Sequence, residues 1–71
     1  MENREDFEEL LRENRCSVER FVKFRLPSMA DAAEVLQEVY PTACGQFGQV
    51  KNRGSFLPWL LRIARSKCSD Y

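Results

Sequence analysis

Apolar residues return along this chain at three- and four-residue intervals, and the returns fall into three blocks separated by breaks. In the first block, Phe7, Leu10, Leu11, Val18, Phe21 and Val22 share one side of a helix expected over about 6–25. Arg12, Glu13, Arg15, Glu19 and Arg20 fall mostly on its other faces. Leu26-Pro27-Ser28 ends that helix, because a residue before proline is pushed out of the helical region. A second helix is expected to begin near Ala30 or Asp31. In Asp31-Ala32-Ala33-Glu34 an acid can cap the first turn while Glu34 reaches back. Its apolar stripe reads Ala33, Leu36, Val39 or Tyr40, Ala43 and Phe47. Pro41 interrupts it, predicting either a kink or a cost of about 3 kcal/mol. Between Gly45 and Gly54 the periodicity is lost, and Gln46, Gln49 and Asn52 among the glycines read as a polar loop. Ser55 is the expected cap of a third helix, with Pro58 in its first turn. Phe56, Leu60, Ile63, Ala64 and Lys67 continue that helix, and Leu57 and Trp59 widen its stripe.

The expected fold is therefore all-α: a compact bundle of three main helices, with no strand-like alternation and no repeat. The 71 residues suffice for one small domain of marginal stability. The last helical pattern reaches Asp70 and Tyr71 with no glycine or proline stop, so the expectation is a single domain over 1–71 cut from a longer protein. No apolar run has the length of a membrane span or a signal-peptide core, which makes a cytoplasmic location the default expectation. Cys16, Cys44 and Cys68 are odd in number and far apart, and there is no histidine. A disulfide framework and a metal site are not expected, and the thiols read as small hydrophobes. No cofactor motif is present either.

Net charge is zero, which by itself argues against nucleic acid. The distribution changes that picture. Residues 1–20 carry seven acids and four bases, residues 30–50 carry three acids and no base, and residues 51–69 carry five bases and no acid. Charge sorted in this way fits two partners on two faces. With no histidine, no phosphate loop and no nucleophile elbow, catalysis is not expected and no catalytic residue is assigned.

Two constellations remain. Asp31, Glu34, Gln37 and Glu38 recur at three- and four-residue spacing, on one surface of the second helix. That surface is either an ordinary solvated face or a docking patch for a basic partner, with Gln37 adding directional hydrogen bonds. Lys51, Asn52 and Arg53 lie on the glycine-flanked loop, and Arg62, Arg65 and Lys67 follow on the third helix among Phe56, Trp59 and Tyr71. Cations for phosphates and flat rings for unstacked bases are what single-stranded nucleic acid requires. Aromatics in the core with solubilising arginines explain the same residues equally well, and composition leaves both readings open.

The two blocks also resemble a known family. Asp31-Ala32-Ala33-Glu34-Val35-Leu36-Gln37-Glu38-Val39-Tyr40, then Ala43 and Phe47, is similar to region 2.2 of bacterial sigma factors. Phe56-Leu57-Pro58-Trp59-Leu60-Leu61-Arg62-Ile63-Ala64-Arg65, followed by Asp70, resembles regions 2.3 and 2.4 of the extracytoplasmic-function group. The resemblance implies a non-enzymatic domain that binds core RNA polymerase and recognises and melts the promoter −10 element. It implies that Asp31, Glu34, Gln37 and Glu38 meet the β′ clamp helices. It implies that the loop over about 46–54 captures a base flipped from the non-template strand, with Lys51, Asn52, Arg53, Trp59, Arg62, Arg65 and Lys67 facing DNA. An anti-sigma factor is a further candidate partner. Pro41 departs from the family, which has a helix-compatible residue there. A helical protein-interaction module without DNA binding is the alternative from another class. A helix-turn-helix is disfavoured by the long connection before the last helix.

Overall fold

A computed structural model describes residues 3–70. Three α-helices follow in order: α1, Arg4–Arg25; α2, Met29–Gln46; and α3, Phe56–Asp70. Two short 3-10 turns, Phe47–Gln49 and Arg53–Ser55, fill most of the connection between α2 and α3. Each helix packs on the other two, around a single core. The Cα radius of gyration is 11.6 Å, against about 11 Å expected for a packed domain of this length. The all-α, three-helix expectation holds.

Local chemistry explains the boundaries. Asn3 caps α1, its side chain accepting from the Glu5 amide at 2.7 Å, and Glu5 and Asp6 suit the positive end of the helix dipole. Leu26, ahead of Pro27, is extended and closes α1. The cap of α2 is Ser28, not an acid at Asp31: the Ser28 hydroxyl accepts from the Asp31 amide at 3.4 Å, and the helix starts at Met29. Ser55 is likewise not a helix cap. Its hydroxyl donates to Asn52 Oδ1 at 3.1 Å, and Asn52 caps the turn that leads into α3 by also accepting from the Ser55 amide at 3.0 Å.

The first and third apolar stripes face the core as read from the sequence, with Phe21 on the first and Leu57, Trp59 and Lys67 on the third only half-buried. On α2 the reading is one position out at its start. Ala33 is exposed, and Ala32 and Val35 are buried beside Leu36, Val39 and Ala43. The supposed polar loop also contributes to the core, because Phe47 and Val50 are buried. Phe7, Phe47 and Phe56 meet edge to face, with centroids 5.3–6.0 Å apart, and Trp59 lies against the last two. No described glycine has a positive φ, so the connection does not depend on left-handed backbone.

α2 runs without a break through Pro41, which lies on its exposed side. The helix continues past the proline with one backbone donor missing, so the proline's cost remains in the folded state. Replacing Pro41 with Ala is therefore expected to stabilise the domain by about 1–3 kcal/mol after the loss of unfolded-state restriction. Gly45 sits in the last turn of the same helix, and a methyl group there would meet no neighbouring atom. Gly45→Ala is expected to add about 0.5–1 kcal/mol. Thermal melts check both, at about 4–8 °C per kcal/mol for a domain of this size. An unchanged midpoint for Pro41→Ala would mean that α2 breaks at Pro41 in solution.

Candidate functional site

The exposed side of α2 carries the acidic constellation. Glu34, Gln37 and Glu38 are exposed, on the side of the helix opposite the buried stripe of Ala32, Val35, Leu36, Val39 and Ala43. At about 100° per residue, Ala30, Glu34, Gln37 and Pro41 form one row along the helix, with Glu38 beside it. Asp31 is half-buried at the flank. Because the helix is unbroken, Pro41 extends this ridge instead of ending it. Having no N–H, Pro41 leaves the Gln37 carbonyl without its usual helical donor, on the same exposed row.

The basic constellation is only partly assembled. Arg62 and Arg65 are exposed, three residues apart on the outer face of α3. Lys67 does not join them. It lies about 200° round the helix from Arg65, continuing the core-facing ridge of Phe56, Leu60, Ile63 and Ala64, and is half-buried. Lys51 is exposed on the connection. Asn52 is exposed too, but its Oδ1 is committed to the turn at Ser55. Arg53 is drawn onto α1, where its Nη2 donates to Glu9 Oε1 at 3.2 Å and Glu13 Oε2 at 3.4 Å. Trp59 is half-buried, with one side against Phe47 and Phe56 at 6.4 and 5.6 Å. Its role in the core is real, and part of the ring remains accessible.

Features that the sequence reading did not pick out adjoin these surfaces. A groove of about 910 Å³ runs between α1 and α2, floored by Phe7, Leu11, Tyr40 and Cys44 and edged by Arg12 and Arg15. Pro41 and Gly45 line it as well, so it borders the acidic ridge. The Arg15 guanidinium lies 5.9 Å from the Tyr40 ring centroid. The Tyr40 hydroxyl is buried without a hydrogen-bond partner. Burial, and then the nearby Glu19 carboxylate, push its pKa above the usual phenol range against the opposing effect of Arg15. Burial also raises the Cys68 thiol, opposed by Arg25. At the corner between α1 and α2, Phe24 and Met29 are 88% and 78% exposed. The i, i+4 spacing of Glu9 and Glu13, beside a connection rich in bases, was the available signal for the Arg53 contact. No described cluster of acids, cysteines or histidines could hold a metal ion.

A model of one protein family, Sigma-70 region 2, matches residues 3–71. The chain belongs to the Sigma-70 region 2 family. Neither the curated proteins nor the solved structures yielded a match. Sigma-70 region 2 is a non-catalytic part of transcription initiation factors, involved in binding core RNA polymerase and recognising the promoter −10 element. The family therefore implies core polymerase and promoter DNA as partners and a cytoplasmic location. No described helix of this region 2 domain is long and apolar enough to cross a membrane.

A phenol whose pKa is raised on folding, as that of Tyr40 is, stabilises the folded state below its unfolded value of about 10, and that contribution is lost as pH rises through the folded value. The domain is thus expected to lose stability above about pH 10, and Tyr40→Phe to lose less over the same interval. Denaturant midpoints of both proteins measured across that range make the comparison. Parallel curves would show that Tyr40 titrates normally.

Proposed function

We propose that this is region 2 of a sigma factor of the extracytoplasmic-function type, with residues 1–71 forming one domain. On this reading Asp31, Glu34, Gln37 and Glu38 dock on the clamp helices of the polymerase β′ subunit. Lys51, Arg53, Arg62, Arg65 and the accessible part of Trp59 meet the non-template strand of the −10 element, and Asn52 shapes the turn that presents Arg53. Lys67 is left out, since it follows the core-facing ridge. An anti-sigma factor is a further partner of the same protein-binding kind.

The observation that carries the reading is the unbroken ridge on α2. Glu34, Gln37 and Glu38 are exposed together on one continuous helix, in a segment, 30–50, whose charged residues are all acidic. Acidic groups held in fixed geometry attract and orient a basic helical partner. The exposed bases belong to a different element, and Trp59 supplies a ring among them. Cations beside an aromatic face can return part of the cost of unstacking a base. In the complete holoenzyme the ridge would supply affinity for polymerase, and the loop and α3 would hold a strand as it opens.

Binding of the domain to a β′ clamp-helix fragment tests the docking surface. Gln37→Ala and Glu38→Ala are each expected to weaken it about tenfold, the range for a hydrogen bond to a charged group. Unaltered affinity of both variants would remove the assignment. For DNA, the domain should bind single strands weakly, and each neutralised contact among Lys51 and Arg62 should reduce the salt slope by about 0.7. If the domain adds no crosslink to non-template −10 DNA in the presence of core polymerase, a pure protein-interaction module is left.

A further inference from the structure

We infer that Glu9 and Glu13 act as an internal competitor for nucleic acid, occupying the Arg53 guanidinium in the position a phosphate would take. The inference rests on the proposal that the α2–α3 connection meets DNA.

One guanidinium faces two carboxylates, at 3.2 and 3.4 Å, so the immediate surroundings of Arg53 are net negative. Glu9 and Glu13 stand one helical turn apart on α1, a spacing at which like charges repel. A cation placed between them offsets that repulsion. Phosphate and carboxylate both present oxygen acceptors to the same guanidinium N–H groups, so the two compete for Arg53.

The backbone of the connection is held by other means. Phe47, Val50 and Phe56 are buried in the core, and Asn52 caps the turn at Arg53–Ser55. Removing the two acids should therefore leave the connection in place and release only the Arg53 side chain. All three side chains are about half exposed, between 46% and 53%. Ion pairs of that exposure are weak and exchange readily when a better anion arrives. After the exchange both carboxylates remain beside the bound strand and repel it. Glu9 and Glu13 thus lower the affinity of the free domain for DNA, and they act through Arg53.

The test is fluorescence anisotropy with a labelled oligothymidylate of about 20 nucleotides at low salt, a probe that needs no sequence recognition. Four proteins are compared: wild type, E9Q/E13Q, R53A and the triple variant, each shown by circular dichroism and melting to be folded. E9Q/E13Q is expected to bind about three- to tenfold tighter, the release of two exposed pairs. In the R53A background the same two substitutions should give less than half that gain. An equal gain in both backgrounds would show that the acids act only through overall charge, and the inference fails while the DNA reading stands. Unchanged binding by R53A and by neutralised Lys51 and Arg62 would overturn the DNA reading, and the competitor with it. The single variants E9Q and E13Q serve as a second measure, each expected to give part of the gain.

Discussion

Three phenylalanines from distant parts of the chain meet edge to face, and the placement of both proposed surfaces depends on them. Phe7 comes from the first turns of α1, Phe47 from the end of α2 and Phe56 from the start of α3. Aromatic pairs of this kind add about 0.5–1.5 kcal/mol each beyond the area they bury. Their topological effect is larger. Phe47 and Phe56 are the two ends of the α2–α3 connection, so fixing both on Phe7 fixes where that connection starts and stops. Val50, buried between them, pins its middle. Lys51, Asn52 and Arg53 are then presented on a short outward span with little slack. A segment that reads as a flexible polar loop is held by hydrophobic contacts, without any left-handed glycine.

The same contacts account for the proline in α2. The helix must continue past Pro41 to deliver Phe47 to the cluster, and Val39 and Ala43 are buried on either side of it. Pro41 itself faces outward, where water can satisfy the carbonyl that lacks its donor. Burial of the stripe on the opposite side offsets a local defect on the wet side. The consequence is functional, because a kink at Pro41 would have split the ridge next to Gln37 and Glu38. Continuity keeps the acids in one rigid row, at the expense of stability that the small core has little of.

Much of this was legible in the sequence, for identifiable reasons. Three long amphipathic patterns with proline between the first two leave few architectures open, and the bundle follows. The acidic ridge was legible because helical spacing places Glu34, Gln37 and Glu38 on one side whatever the tertiary fold. Only the start of the α2 stripe differs, at Ala33, since Ala32 and Ala33 are equally apolar and packing decides which is buried. The caps at Ser28 and Asn52 were missed because acids and serines compete for that role, and backbone geometry selects among them. Lys67 was grouped with Arg62 and Arg65 by closeness along the chain, although the helix turns it inward. For Arg53 the local pattern offers only the i, i+4 spacing of Glu9 and Glu13, which does not place the guanidinium against them. Its partners are some 40 positions away, and contacts of that range follow from the fold.

That long-range contact alters the meaning of the charge pattern. Read along the chain, acids and bases are sorted into separate blocks, which fits separate partners. In three dimensions two acids of the first helix, Glu9 and Glu13, lie against Arg53 of the connection, and part of the sorted charge is cancelled inside the domain. The charged residues of α2 itself are all acidic, whereas Arg53, one of the bases of the connection, is held by α1 carboxylates. On the proposed reading, the α2 ridge would meet polymerase first, and the loop's cations would be drawn onto a strand only where polymerase has already concentrated it.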